Sequence, residues 1–444
     1  TAPTNVTAFL HPTDWILGLL PTASLGVEAG RLFSDDDPIS GRMGGGDVAG
    51  ALRIAANGAT TKLSDFYSWI RVARTRADGG THGFARNSLK AGHGIGEGET
   101  GVVLTPPDAS AYRVNAGLLV VEKAKGTVSI HSSEGALLAG PFTYDWPAGY
   151  QVQASTVFEA FHVPPAAAAR ITFSVTKGRI LPFGTAIDVV SGDPMDLPFF
   201  GPRTGALNQW VLGVERGGGS LGPTSRTDLL LYNPAAADTA VSIGFRTARL
   251  ASDPAAAPRP SVSFTVPAGR VVTLRDVVKE RFGLEGVAGS MDVVSDPPVA
   301  VLALVTAEDA SGGRHGYGSA AVLGDAGPGD GARGVFIQAS DAGWDVMESE
   351  LQVTNPTDGT AQVTVRAFDA EGVERGTGLS LSVGPKEVLR LPAAFYTVSG
   401  NGTALGRLEV VPAAGSPPVF AVLVRQDKKT GDADAVVPYV VPSS

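Results

Sequence analysis

Short runs of alternating apolar and polar residues fill the chain, and Gly, Pro or Asp residues separate them. In "RTDLLLYNPAAADTAVSIGF" (226–245) two such runs flank an Asn-Pro pair, and "ESELQVTNPTDGTAQVTVRAF" (348–368) repeats the arrangement. Alternation with a period of two predicts β-strands that bury one face, and Asn-Pro pairs predict turns. Asn233 and Asn355 are 122 positions apart, so the pattern predicts a repeat of that length.

Each copy continues in the same order: a strand, a Gly turn, a short helical turn, an alternating strand, a more continuous apolar strand and a last strand. The Gly turns are at Gly149, Gly269 and Gly384. In the copy around Gly269, Asp276 can cap the helical turn and Gly283 can end it. With the leading strands that also recur, each unit holds about seven strands, a number typical of a two-sheet sandwich.

The first part of the chain aligns with the later strands of this unit. "NVTAFL" (5–10) matches "AVSIGF" (240–245), and "SLGVEAGRLF" (24–33) matches "SFTVPAGRVV" (263–272). "SWIRVARTRADGGTHGFARNSL" (68–89) matches "VLALVTAEDASGGRHGYGSAAVL" (301–323). The alignment predicts that the first unit is the same sandwich, entered at the turn before its third strand, without its two leading strands.

The sequence therefore predicts an all-β fold of four tandem antiparallel sandwich domains, at residues 1–90, 101–200, 208–324 and 334–444. We call these ranges the first, second, third and fourth units. Gly- and Pro-rich segments lie between them and are typical of linkers. Because the linkers are short, we expect neighbouring units to touch and to form a semi-rigid rod.

Composition narrows the function classes. With 43% hydrophobic and 18% charged residues the chain is too apolar for disorder. A net charge of −9 without a basic patch argues against a nucleic-acid partner. No apolar run is long enough to predict a membrane-spanning helix, and the N-terminus shows no signal peptide. The absence of cysteine excludes disulfides and thiolate chemistry.

Candidate chemistry is sparse. His82 and His315 fall at matching repeat positions, in Gly-rich hairpin turns, and we interpret them as exposed turn residues. A metal site would need further ligands that the sequence does not place nearby. No GxSxG elbow, HExxH motif or acid–base carboxylate pair is present. We therefore expect neither enzymatic activity nor a cofactor or metal.

The remaining candidate functional residues are the tryptophans and the asparagines of two N-glycosylation sequons. We expect Trp69, Trp146, Trp210 and Trp344 to fill cores or domain junctions, and the alternative is a platform on which glycans stack. "NVT" at Asn5 and "NGT" at Asn401 match the N-glycosylation pattern, which we interpret as incidental.

At the recurring "RTDLLLYNP", "VPAGRVVTLRDVV" and "GSMDVVSDPPVAVLALV" the chain resembles tandem immunoglobulin-like β-sandwich modules of secreted or surface-exposed bacterial proteins. The resemblance implies an extracellular or cell-surface location and a role as a stalk, adhesive unit or filament subunit. The first unit resembles a fimbrial subunit, in which a strand from a neighbouring subunit completes an unfinished sandwich.

These observations predict a structural subunit of an extracellular filament or surface fibre that polymerises with itself by head-to-tail β-strand addition to the first unit. The alternative is a multi-domain adhesin or an array of glycan-binding modules. The strand at 5–10 could also pair with Trp15–Leu20 or with a lost upstream piece. The predicted subunit-interface residues are Asn5, Val6, Thr7, Ala8, Phe9, Leu10, Val437, Tyr439, Val440 and Val441.

Overall fold

The structure is a computed structural model. It describes residues 4–12, 22–27, 31–32, 50–56, 67–77, 79–202, 207–253, 259–323, 327–339, 341, 347–402 and 405–442. Apart from three short α-helices and one 3-10 turn, the regular secondary structure of these residues is β-strand. The predicted all-β fold is confirmed. Among the same residues, no helix has the length and apolar character that a membrane span requires.

The elements follow the repeat. The first unit holds β1 (Thr4–Pro12), β2 (Thr22–Val27), β3 (Gly50–Ala56), β4 (Trp69–Thr75) and β5 (Thr81–Asn87). The second begins with β6 (Ile95–Gly96) and continues with β7 (Thr100–Leu104), β8 (Tyr112–His131), β9 (Leu137–Trp146), β10 (Gln151–Ala154), α1 (Val157–Ala160), β11 (Arg170–Asp188), β12 (Pro194–Leu197) and β13 (Phe199–Phe200).

The third unit holds β14 (Asn208–Arg216), β15 (Arg226–Tyr232), β16 (Thr239–Leu250), β17 (Ser261–Val266), β18 (Val271–Leu274), α2 (Val277–Phe282), β19 (Val287–Asp296), β20 (Ala300–Glu308), β21 (Arg314–Ala320) and β22 (Val322–Leu323). The fourth holds β23 (Ala332–Ala339), β24 (Met347–Thr354), β25 (Ala361–Asp369), β26 (Glu374–Val383), β27 (Val388–Leu391), α3 (Ala394–Ser399), β28 (Gly406–Pro412), β29 (Phe420–Asp427), β30 (Ala433–Val436) and β31 (Tyr439–Pro442).

The third and fourth units share one sheet plan. In the third, β22-β14-β19-β16-β17 form one sheet and β18-β15-β20-β21 the other. In the fourth, the corresponding sheets are β31-β23-β28-β25-β26 and β27-β24-β29-β30. In the third unit Leu229 and Leu231 of β15 pack with Val241 and Ile243 of β16. Every second residue of each strand thus enters a core between two sheets, as the alternating pattern predicts.

The Asn-Pro turns explain where these strands break. Asn355 is fully buried; its Nδ2 donates to the carbonyls of Gly359 (2.6 Å) and Val383 (3.0 Å), and its Oδ1 accepts the amide of Thr357 (2.9 Å). Asn233 makes the equivalent bonds in the third unit. The second unit lacks this turn, and there β8 and β11 run for 20 and 19 residues within one eight-stranded sheet.

The helical turn of the third unit, α2, ends as predicted but begins differently. Gly283 ends α2 at φ 68°, and its amide donates to the carbonyl of Lys279, as expected for a C-cap. Asp276 precedes α2, but its side chain makes no capping hydrogen bond. The prediction that Asp276 caps this helix is wrong, because its carboxylate pairs with Arg216 at 2.9 Å instead.

The first unit has the register that the alignment requires. β1 lies between β2 and β3, and Ala8 stands opposite Ala23 on one side and Ile54 on the other. The aligned positions of the third unit pair in the same way, and they are Ile243, Val262 and Val293. Since residues 6–9 are paired on both sides, β1 offers no free edge there to an added strand, contrary to the predicted assembly at 5–10.

Within the described residues, the unpaired edges of the first unit belong to other strands. β3 pairs only with β1, and β4 pairs only with β5. In the third unit the equivalent strands β19 and β20 also pair with β14 and β15. The counterparts of β14 and β15 are the two leading strands that the alignment lacks in the first unit.

The four units close into a ring. β5 packs against β12 and β30, and β21 packs against the same two strands, so the last hairpins of all four units meet. Apolar junctions join the second to the third unit and the third to the fourth; Trp210 and Phe420 lie in the latter. β16 also pairs in parallel with β27. The expected rod is wrong, because the converging hairpins bring the first unit against the fourth.

Candidate functional site

Four tight turns lead into the last hairpin strands, which meet at the centre of the ring. In three of them an aspartate opens the turn and accepts the backbone amide two residues further on; these aspartates are Asp188, Asp309 and Asp427. A glycine with positive φ completes each turn, at Gly79, Gly192, Gly312 and Gly431. Sequence chemistry of this kind makes compact turns that can approach one another closely.

One residue from each unit meets at this centre, and together His82, Asp193, His315 and Asp432 make up the central cluster. His82 is 5% exposed and His315 is 7% exposed, and both aspartates are buried. The interpretation of the two histidines as exposed turn residues is therefore wrong. Both histidines lie in the strand that follows the turn, β5 or β21, and the last hairpin strands of the other units cover them.

Two contacts between units are each made twice, which gives the ring a local two-fold character. The amide of Gly83 donates to Oδ2 of Asp432 (2.8 Å), and the equivalent amide of Gly316 donates to Oδ2 of Asp193 (3.3 Å). A hydroxyl-to-carbonyl bond accompanies each of them: Thr430 Oγ1 to Thr81 O at 2.7 Å, and Ser191 Oγ to Arg314 O at 2.6 Å. The first unit thus binds the fourth as the third binds the second.

Arginines offset part of the buried negative charge. Arg71 donates to Oδ2 of Asp432 at 2.8 Å and lies 3.6 Å from Asp434. Arg425 makes a two-pronged contact with Asp434 at 2.9 and 2.7 Å. Two arginines therefore face three aspartates, Asp193 included. One buried negative charge remains, and a proton on one of the carboxyl groups neutralises it.

The protonation of the two central aspartates agrees with this count. Burial raises the pKa of Asp432 to about 9 and that of Asp193 to about 7, and the negative charge of Asp193 adds to the shift of Asp432. Arg71 alone would lower the pKa of Asp432, but burial and the neighbouring carboxyl group outweigh it. Because an ionised carboxylate can only accept, a hydrogen bond between the two carboxyl groups would need one proton on the pair.

The histidines of the cluster are neutral at pH 7, since burial lowers the pKa of both His82 and His315. Nε2 of His82 lies 3.2 Å from Nη1 of Arg76, which can only donate. The ring proton of His82 is then on Nδ1, 3.6 Å from Oδ1 of Asp193. Within the described ranges, no three His, Asp or Glu side chains are arranged to hold a metal ion.

Reasoning from the sequence alone missed the two aspartates. Asp193 follows Ser-Gly in "SGDP" and Asp432 follows Thr-Gly in "TGDA", each immediately before a last hairpin strand. These tripeptides correspond to each other across the repeat, just as "THG" at His82 corresponds to "RHG" at His315. The matching pairs were a usable signal, but nothing in the sequence showed that the two pairs meet.

A second buried acidic group lies between the third and fourth units. Glu215 accepts the amide of Leu221 at 3.1 Å, and Glu350 accepts from Arg390 at 2.5 Å. Burial raises the pKa of Glu215 to about 7, and the negative charge of Glu350 adds to the shift.

The predicted interface residues near the C-terminus contact the first unit of the same chain. The hydroxyl of Tyr439 donates to Ser68 O and accepts the amide of Ser88 at 3.0 Å. Nδ2 of Asn87 donates to Val437 O at 2.7 Å. β31 itself pairs with β23, and this pairing includes Val440 and Val441. The C-terminal strand thus belongs to the fourth unit and is not free to be donated.

The aromatic residues divide into two environments. Trp210 is fully buried at the junction of the third and fourth units, as predicted. Trp146 of β9 is half-buried and stacks between Tyr144 (5.1 Å) and Tyr150 (5.4 Å). Phe142, 43% exposed, stacks on Phe161 at 4.8 Å. The side chains of Trp69, Trp344 and Asn5 lie outside the described residues, and Asn401 is exposed.

No family model matches the chain, and no curated protein matches it by sequence. Among solved structures, the chain is similar to the crystal structure of red sea bream transglutaminase, with 11% identity over 61% of this chain and a TM-score of 0.11. The match spans 38% of the length of that transglutaminase. A similarity of this degree supports no inference about fold or activity.

Proposed function

We propose that the chain is a structural, non-enzymatic subunit of an extracellular filament or surface fibre, and that subunits join by β-strand addition to the first unit. Its four units are tandem immunoglobulin-like sandwiches closed around the central cluster. The strand acceptor in this proposal is the edge of β4, and no longer residues 5–10. The homopolymer and the surface location both belong to the proposal.

The observation that carries the proposal is an uncovered apolar face on β4. Ile70 is 37% exposed and Val72 is 51% exposed. The aligned residues of the third unit, Ala303 and Val305, are fully buried under the same repeat architecture. Side chains at i and i+2 of a strand share one face, so Ile70 and Val72 form a continuous apolar stripe.

Strand addition would both complete the edge of β4 and cover its exposed apolar side chains. An added strand supplies partners for the amides and carbonyls on the edge of β4 that pairs with no other strand of the described ranges. It also covers Ile70 and Val72, and burying an aliphatic side chain contributes roughly 1.5–3 kcal/mol. A strand from a second copy that joins in this way forms a head-to-tail contact, which propagates as a fibre when it does not close.

The test is the assembly state of the purified chain across a concentration series, measured by light scattering and negative-stain electron microscopy. We expect filaments or a concentration-dependent ladder of oligomers. Val72→Asp places a charge on the stripe and should abolish assembly. Val373→Asp is the matched control, because Val373 is also 51% exposed but lies in the fourth unit.

The proposal fails if the wild-type chain stays monomeric at every concentration, or if Val72→Asp assembles as the wild type does. Circular dichroism should show the same thermal transition for both variants, since both positions are exposed. A Val72→Asp variant that is also unfolded would be replaced by Ile70→Thr, which keeps strand propensity while it reduces apolar area.

A glycan-binding adhesin is the second candidate, and the aromatic row of the second unit favours it. Phe142, Trp146 and Tyr150 present half-exposed rings on and beside one edge strand. Such rings can stack against the apolar faces of sugars. A glycan array would detect this activity, and Phe142→Ala should weaken it. Binding that survives both Phe142→Ala and Trp146→Ala would rule out this row as the site.

A further inference from the structure

The central cluster contains two buried aspartates from different units of the ring. Asp193 comes from the second unit and Asp432 from the fourth, and each accepts an amide of a different unit through Oδ2. Their Oδ1 atoms accept no hydrogen bond from any N–H or hydroxyl group of the described chain. Nδ1 of His82 lies 3.6 Å from Oδ1 of Asp193, which is too far for a hydrogen bond. Two buried carboxyl oxygens without a hydrogen-bonded donor are satisfied when the pair shares a proton.

We propose that the Asp193–Asp432 pair is a proton latch, which keeps the four-unit ring closed while it shares one proton and loosens the ring when that proton is lost. The inference concerns closure within one chain. It holds whether or not chains assemble, so it does not rest on the proposed filament.

All four units contribute charged or titratable groups near the latch. The first unit supplies Arg71, Arg74, Arg76 and His82; the second supplies Asp188; the third supplies Asp309, Arg314 and His315; the fourth supplies Asp427, Asp434 and Arg425. Asp427 stays ionised, because hydrogen bonds from Thr81, Lys429 and Thr430 lower its pKa against the effect of burial. The two histidines are already neutral. The shared proton is therefore the one that is lost above neutral pH.

The sign of the effect follows from linkage. In an open ring both carboxyl groups are hydrated and ionise near the ordinary value of 3.8, whereas the closed ring raises both pKa values. The closed state binds more protons, so closure is favoured at low pH and weakens as pH rises through the raised values. From pH 7 to pH 9 opening releases about one proton, and its equilibrium constant rises about tenfold per pH unit.

Amide hydrogen exchange of the full chain tests the latch. After correction for intrinsic exchange, the protection factor of the Gly83 amide should fall about 100-fold between pH 7 and pH 9. The amides of β25 lie inside one unit and serve as the reference, with constant protection. Asp432→Asn keeps a neutral group that can donate to Asp193 and accept from Gly83. It should therefore remove the pH dependence and leave Gly83 better protected than in the wild type at pH 9.

Asp427→Asn is the matched control, since Asp427 is equally buried in the same turn but is ionised. It should lower protection at every pH and keep the 100-fold fall. The latch is refuted if wild-type protection at Gly83 is flat from pH 7 to pH 9. It is also refuted if Asp432→Asn lowers protection throughout, as loss of a purely structural contact would. If Asp432→Asn does not fold, Asp193→Asn takes its place. The protection of the Gly316 amide, which donates to Asp193, is then measured in the same way.

Discussion

The amide of Gly83 donates a hydrogen bond to Oδ2 of Asp432 at 2.8 Å, although the two residues lie 349 positions apart in the sequence. This bond joins the first unit to the fourth and closes the ring. Its counterpart from Gly316 to Asp193 joins the third unit to the second. The ring thus depends on a few polar contacts between turns, in addition to apolar junctions elsewhere.

Gly431 should be the least replaceable of the turn glycines. A Cβ on it would lie 2.6 Å from Nε2 of His315, and its φ of +77° also disfavours other residues. Gly192 occupies the matching turn with φ +75°, but nothing lies within 4 Å of its Cβ position. Gly431→Ala should therefore lower the free energy of unfolding more than Gly192→Ala, which carries only the backbone strain of about 1–2 kcal/mol. Urea titration measures both.

A double-mutant cycle decides whether the His315 contact is responsible for the difference. His315→Ala in the Gly431→Ala background should recover part of the lost stability, because the ring that meets the new methyl group is then gone. If the losses in the free energy of unfolding from Gly431→Ala and His315→Ala are additive, the predicted clash does not contribute to the effect of Gly431→Ala.

The turns and the ring differ in how far sequence can predict them. The bonds of Asn355 all lie within its own sandwich, so the Asn-Pro pair predicted the strand–turn–strand arrangement directly. The alignment also predicted the register of β1 around Ala8, since pairing follows the alternation of strand faces. The meeting of His82 with Asp193 depends on the relative rotation of whole units. Packing at junctions such as Trp210 against Phe420 sets that rotation, and no periodic pattern encodes it.

Asn355 should be essential to the fourth unit. Asn355→Ala would leave the carbonyls of Gly359 and Val383 and the amide of Thr357 without their side-chain partner in a buried turn. We expect a loss of about 1–3 kcal/mol in the free energy of unfolding, measured by urea denaturation. Asn208→Ala, at an exposed position, should change stability by less than about 0.5 kcal/mol. Equal effects of the two substitutions would contradict the role given to the buried turn.

The hydroxyl of Tyr439 should help to hold the first unit against the fourth. Tyr439→Phe keeps the ring beside Tyr67 but removes the bonds to Ser68 O and to the amide of Ser88. We expect faster hydrogen exchange at the Ser88 amide and unchanged exchange within β24. Tyr396→Phe serves as the control, because this tyrosine is exposed on α3 of the fourth unit. Unchanged protection at Ser88 would show that closure does not depend on this contact.

Glu215 should make the stability of the chain fall as pH rises from mildly acidic to neutral. Its pKa is raised from 4.5 to about 7, first by burial and then by the charge of Glu350. Because the pKa of this carboxyl group is higher in the folded than in the unfolded state, the folded state binds more protons in this pH range. The contribution of Glu215 to the free energy of unfolding should therefore fall by up to about 1.4 kcal/mol per pH unit between these values and level off above pH 7.

Glu215→Gln tests this slope, because the neutral amide keeps an acceptor for Leu221 and cannot ionise. Urea titrations at pH 5, 6, 7 and 8 should show a flatter profile for Glu215→Gln, with its largest gain over the wild type at pH 8. Glu97→Gln, an exposed position, should leave the wild-type profile unchanged. If Glu215→Gln keeps the slope, the carboxyl group is already ionised in the folded chain at pH 5, and Arg390 with its neighbours compensates the charge of Glu215 as well as that of Glu350.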